Sequence, residues 1–206
     1  NKENAQKNEN TVKKIEKTDN ETKTTEENIP TKTKIDNEEG IKKIKEKYDT
    51  TEKVTGSKKT IVLSNGEKLS GTYKLIEAGN VSASHNAETF EKTEGFPTTE
   101  NGTTVNDRDY QSDKNAQNLV TQKSDNFDGR AFADNGVIVT KDGIVVSGND
   151  RTMSGDLAAK KGTDTAYIEY LKDNASQFGF TVEQIDNMKH PRIVFELNKK
   201  LPYDTK

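Results

Sequence analysis

The 206-residue chain contains no cysteine and no tryptophan, and only two histidines and four prolines. Without cysteine there is no disulfide framework, no thiolate nucleophile and no thiolate zinc site. Long apolar runs are missing too, and none approaches the roughly 20 residues needed to cross a bilayer. Apolar residues make up 28% of the chain against 33% charged, and they are unevenly spread: no Leu occurs before Leu63 and no Phe before Phe90. A large excess of one charge sign is absent as well. The net charge of −3, with both signs interleaved, is not the footprint of a domain that grips DNA by bulk electrostatics. No signal-peptide pattern is present. The chain begins at Asn1 rather than Met, so an upstream segment is expected. The default location is the cytoplasm; a Lys/Asn-rich tether of a processed surface protein is the alternative.

Residues 1–58 are mostly Lys, Glu, Asn, Asp and Thr. Such a segment cannot bury enough apolar surface to offset the entropy lost on ordering. The composition therefore predicts a disordered or transiently helical tail over 1–58, a domain over 59–198 whose core starts after Thr60, and a polar end over 199–206. Inside the tail, Ile41, Ile44 and Tyr48 fall at i, i+3 and i+7, one helical stripe. The stripe reads as a fluctuating helix in a linker or as a docking helix.

The run 59–63 and the run 68–76 are β-prone and flank Asn65-Gly66, a strong hairpin signal because both residues tolerate positive φ. The stretch 77–104 is rich in Gly, Asn, Ser and Thr and reads as a long loop. Ser112 can cap a helix through about Gln122, with Ala116, Leu119 and Val120 on its apolar side. Val137-Ile138-Val139 and Ile144-Val145-Val146 around Asp142-Gly143 predict a second hairpin. A helix follows from about Arg151 to Lys161 with Gly162 as its left-handed stop. Another carries Ile168, Leu171, Ala175 and Phe178 on one face. Thr181 and Gln184 then form a capping-box pattern, and a last strand runs from Arg192 to Leu197. The helix pair over 166–188 has helix-turn-helix spacing. Its second helix offers Glu183 and Asp186 but no basic residue to a phosphate backbone, so it is read as a corner that closes the core.

The stretch Ser147-Gly148-Asn149-Asp150-Arg151 carries the most chemistry. A strand that turns through glycine into a helix start presents backbone N–H groups to an anion. Gly148 allows close backbone approach, Asn149 brings an amide, Arg151 can fork onto phosphate oxygens, and Thr152 lies in the same first turn. Asp150 either caps the helix or shares a divalent cation with a phosphate, which makes it the one candidate metal ligand. Arg108 lies between Asp107 and Asp109, as a surface ion pair or as a guanidinium held by carboxylates to face a phosphate. His85 reads equally as a ligand-contacting donor or base and as an exposed loop histidine. The catalytic candidates, should the protein be an enzyme, are His85, Asp109 and Asp150.

The ordered succession Tyr73-Lys74-Leu75-Ile76-Glu77-Ala78, Ser84-His85-Asn86, Phe96-Pro97, Asn106-Asp107-Arg108-Asp109, Asp142 through Arg151, Tyr167-Ile168-Glu169-Tyr170-Leu171 and Phe178-Gly179-Phe180 resembles the ParB-like domains. Within them it is closest to the DdrB-like branch found in large proteins of phages and conjugative elements. The resemblance spans about Lys68 to Leu197. It implies an α/β (α+β) domain of the ParB/sulfiredoxin type, with a small mixed sheet and flanking helices behind a disordered tail. It further implies that Gly148, Asn149, Thr152 and Arg151 hold nucleotide phosphate, that Arg108 faces the nucleotide, and that Ser84 and His85 form the branch's Ser-His motif at the same site. CTP or another nucleotide with Mg2+ is the expected cofactor. DNA would be handled indirectly, through other domains or partners, in the host cytoplasm. The box departs from ParB proper in having Arg151 alone where that family has further arginines, so a weaker or more metal-dependent site is expected. Nucleotide hydrolysis or phosphotransfer at the same turn, and a non-catalytic assembly role, are the alternatives.

Overall fold

Ile193, Val194, Phe195 and Leu197 are each at most 2% exposed, and the strand they form is the middle of the sheet. Nearly every residue of it is buried, so it reads as a continuous apolar run rather than an alternation. The computed structural model describes residues 33–34, 38–62, 66–99 and 108–199. In chain order the elements are β1 (Thr33–Lys34), α1 (Glu38–Thr50), β2 (Val54–Val62), β3 (Lys68–Glu77), β4 (Thr98–Thr99), α2 (Lys114–Asp125), a 3-10 turn (Gly129–Asn135), β5 (Val137–Val139), β6 (Val145–Ser147), α3 (Asn149–Lys161), α4 (Thr165–Asp173), α5 (Ala175–Phe178), α6 (Val182–Asp186) and β7 (Pro191–Leu197). The five-stranded sheet has the order β2-β3-β7-β5-β6. Only the β5–β7 pairing is parallel, and the rest are antiparallel. This is the α+β class with a small mixed sheet and flanking helices. Strands β1 and β4 form a separate two-stranded pair.

Both expected hairpins form. β2 and β3 pair in antiparallel register up to Val62 opposite Lys68, with Gly66 at positive φ; Asn65 lies outside the described residues. β5 and β6 pair across the Asp142-Gly143 turn, where the Thr140 N–H donates to the Ile144 carbonyl. The capping box of Thr181 and Gln184 and the left-handed stop at Gly162 are also as expected.

Order begins well before Thr60. α1 buries Ile41, Ile44 and Tyr48, and β2 starts at Val54, so residues 38–58 are helix and strand rather than tail. Three apolar side chains suffice because the sheet supplies their partner: Tyr48 packs in one cluster with Ile76, Val139, Val145 and Val194. Polar contacts fix the helix in place. The Tyr48 hydroxyl donates to Glu196 at 2.6 Å and the Lys45 ammonium to Asp142 at 3.1 Å. Residues 1–32 and 200–206, on which the rest of the expected tail and the polar end fall, lie outside the described residues.

Two helix details differ from the sequence pattern. Asp113 rather than Ser112 caps α2, accepting the N–H groups of Asn115 and Ala116, while the Ser112 hydroxyl donates to Asp109. Leu119 is 50% exposed, so the apolar side of α2 is only Ala116 and Val120. The α4–α6 corner closes the core: Leu171, Ala175, Phe178 and Ile185 are buried together, and Tyr73 on β3 meets the Phe178 ring at 5.1 Å. The sheet is thus covered by this corner on one face and by α1 on the other.

A buried arginine ties β7 to the helices that carry the site. The Arg192 guanidinium lies between the rings of Phe127 and Tyr167, 5.1 Å from each. It donates to the Gly155 carbonyl in α3 at 2.7 Å and to Asp164 at 2.9 Å. Burial opposes ionisation of Asp164, but hydrogen bonds from Arg192 and His190 hold its carboxyl below the ordinary range. A charge so enclosed is tolerable only with such partners.

Candidate functional site

β6 delivers the chain to Gly148, which adopts φ 86° and ψ 31° and opens α3 without a side-chain cap. Two constraints demand glycine here. The left-handed conformation is one. The other is space, since a Cβ would stand 2.9 Å from the Gly136 carbonyl oxygen and 3.2 Å from Val137 Cα. The turn is therefore pressed against the start of β5, and the first N–H groups of a 13-residue helix are presented at a fixed place.

The side chains around this turn divide into those that build it and those that face outward. Asn149 is 2% exposed. Its Oδ1 accepts the Ser84 N–H at 2.7 Å and its Nδ2 donates to the Val145 carbonyl at 3.3 Å. The amide is thus committed to joining the Ser84 loop to β6, and what Asn149 presents at the turn is backbone. Thr152 is buried and its hydroxyl donates to the Gly148 carbonyl at 3.1 Å. Arg151 is half-buried and donates from Nη1 to the Gly136 carbonyl at 3.2 Å. Asp150 pairs with Lys123 of α2. Burial works against its ionisation, but the Lys123 hydrogen bond and charge, with Arg151 beside it, hold the carboxyl below its ordinary value.

Ser84 and His85 are at the same place, and both are buried. The Ser84 hydroxyl and His85 Nδ1 are 2.9 Å apart. His85 Nε2 is buried without a hydrogen-bond partner, and the nearest Asp109 oxygen stands 3.7 Å away. The exposed-loop reading of His85 is thereby excluded. Burial lowers its pKa, with Asp109 pulling the other way, so the ring is neutral at pH 7. Asp109 itself is exposed, and the Ser112 hydroxyl holds its carboxyl below the usual range. The His85 ring meets Tyr110 edge-on at 5.3 Å, and the Arg108 guanidinium lies 5.9 Å from the Tyr110 ring centre. Burial first and then the charge of Asp150 push the Tyr110 hydroxyl up to about 12, with Arg108 opposing. Tyr110 therefore links the Arg108 side of the site to the Asp150 side. All the sequence candidates except Asp107, which lies outside the described residues, converge on the start of α3.

The structure adds residues that no motif singled out. A cleft of about 400 Å³ opens beside Arg151, lined by Gln122, Lys123, Asn126, Asp128 and Arg130 over a floor of Phe127 and Ala131. Arg130 donates from Nε to both Asp128 carboxylate oxygens, at 2.8 and 3.0 Å. Nothing in the spacing of Lys123 and Arg130 along the chain connects them with Arg151, because the end of α2 and the 3-10 turn meet α3 only after folding. Among the described residues no group of three or more His, Asp or Glu side chains stands together. A divalent ion at Asp150 would therefore take most of its ligands from phosphate oxygens and water. Among the same residues no helix is long and apolar enough to cross a membrane.

A family model for the ddrB-like ParB superfamily domain matches residues 64–196. No curated protein and no solved structure matches the chain.

Proposed function

Since the chain belongs to the ddrB-like ParB superfamily, we propose that it is a nucleotide-phosphate-binding module of a mobile-element or phage DNA-handling protein, which meets DNA through other domains or partners. The observation that carries this reading is the start of α3. Gly148 opens the helix with no side-chain cap, and Arg151 stands at the mouth of an open cleft beside it. Anions are favoured at such a helix start by the oriented N–H groups and by the guanidinium together. Arg108, across Tyr110, is the second cation toward the ligand, and Asp150 with Mg2+ bridges to the phosphate. CTP is the expected nucleotide.

Thermal unfolding of the chain with CTP, ATP, GTP and ADP, with and without Mg2+, tests this. A nucleotide-dependent rise in the midpoint that Arg151→Ala removes is the expected result, and no shift with any nucleotide would sink the reading. Hydrolysis at the same turn is the second reading, favoured by the approach of His85 to Asp109 next to the site. Phosphate release in the same samples separates the two.

A further inference from the structure

Resting on the phosphate reading of the turn, we propose that Lys123 and Arg130 complete the site as a polyphosphate site, so that its ligand is a nucleoside di- or triphosphate rather than a monophosphate. The family-type box has one arginine here, and the cations that a second and third phosphate require come from two other elements. Lys123 leaves the last turn of α2, Arg130 leaves the 3-10 turn, and both line the one cleft that Arg151 also lines. The cleft is far larger than a single phosphate group and falls in the usual size range of small-ligand pockets, about 300 to 1,000 Å³.

The charges are arranged as a binding site needs them. Asp128 engages Arg130 through Nε and Nη2, which fixes the plane of the guanidinium while the side chain remains 78% exposed. A guanidinium held in this way is oriented for bidentate contact with phosphate. Lys123 is half exposed and rests on Asp150, the residue preceding Arg151, so its ammonium sits at the start of α3. A polyphosphate, or Mg2+ bound to one, replaces one partner of that pair and leaves Lys123 to the phosphate. The cleft's inner wall is also cationic. Phe127 stacks on the Arg192 guanidinium, whose Nε is buried without a hydrogen-bond partner, and Arg192 and Arg151 line a small inner cavity of about 20 Å³ behind it. One monophosphate is satisfied by Arg151 and the helix start alone. The further charge of a di- or triphosphate is what Lys123 and Arg130 answer.

Calorimetric titration of the full chain with CMP, CDP and CTP in Mg2+ is the test. The expected result is that CTP binds at least about tenfold more tightly than CMP. Lys123→Gln and Arg130→Gln should each weaken CTP about tenfold or more, the size of one charge-assisted contact, while CMP affinity changes little. Both side chains are exposed, and unchanged melting of the nucleotide-free variants checks that they fold. Two results overturn the inference while leaving the reading of the turn intact: wild-type affinity for CTP in both variants alongside its loss in Arg151→Ala, or equal binding of CMP and CTP by the wild type. Absence of binding by the wild type to all three nucleotides overturns the reading itself, and the inference with it.

Discussion

Replacing Gly148 by alanine probes the turn on which the site is built. An L-residue in the left-handed region costs about 1–2 kcal/mol. The new Cβ would also stand 2.9 Å from the Gly136 carbonyl oxygen and 3.2 Å from Val137 Cα. Both are backbone atoms at the start of β5 and cannot swing aside, so overpacking adds roughly 1–3 kcal/mol. Alanine returns about 0.4–1 kcal/mol by restricting the unfolded chain. The net loss is about 1–4 kcal/mol, which for a chain of this size lowers the melting midpoint by roughly 3–15 °C. Gly162→Ala is the control. Gly162 also has positive φ, 68°, but nothing lies within 4 Å of its Cβ position, so it carries only the conformational cost, about 1 kcal/mol and a few degrees. Circular-dichroism melts and urea denaturation of the two variants give the comparison. Should Gly148→Ala be no less stable than Gly162→Ala, the close approach of the turn to β5 is not what fixes the helix start, and the argument for a preformed anion site loses its basis.

Two further outcomes follow from the structure. Asp156 lies in α3 with Oδ1 accepting the Gly79 N–H at 2.7 Å, and burial raises its carboxyl to about 6. A raised pKa means that the folded state holds the proton more tightly, so this group's contribution is fully present below about pH 4 and is lost as pH rises through about 6. Asp156→Asn should accordingly stabilise the protein at pH 7 by on the order of 2 kcal/mol and by nothing below about pH 4, measured as the pH dependence of urea denaturation. Ile41→Ala removes a side chain only 2% exposed and should cost about 2–4 kcal/mol in the same assay; a cost under about 0.5 kcal/mol, the level of a surface substitution, would mean that α1 is not part of the core.

Local chemistry made the turns and caps legible in the sequence. Asp142-Gly143, Gly148, Gly162 and the Thr181–Gln184 box act within a few residues of themselves, through φ preferences and side-chain-to-backbone hydrogen bonds, and each is found where the residue types put it. The same locality made the Gly148–Arg151 turn visible as an anion site in outline. The reading of 38–58 as tail went wrong for the complementary reason. The burial of Ile41, Ile44 and Tyr48 depends on a sheet surface made by residues 76, 139, 145 and 194, and averaging composition over 58 residues hides three well-placed side chains. His85 was ambiguous for a similar reason, since its burial is decided by Tyr110 and by the loop that Asn149 fastens through the Ser84 N–H.

The sequence by itself determined the α+β class, the two hairpins, the helix start at Gly148 and, through the order of its motifs, the family. These rest on interactions between near neighbours in the chain or on motifs readable one after another. Only the tertiary structure decided which side chains the turn has available. It committed the Asn149 amide inward, set Asp150 against Lys123, enclosed His85, and brought Lys123, Arg130 and Arg151 to one cleft. Charges on separate elements act together only when packing brings them close, and that packing is set by β7 and the Arg192 clamp, far from the turn in sequence.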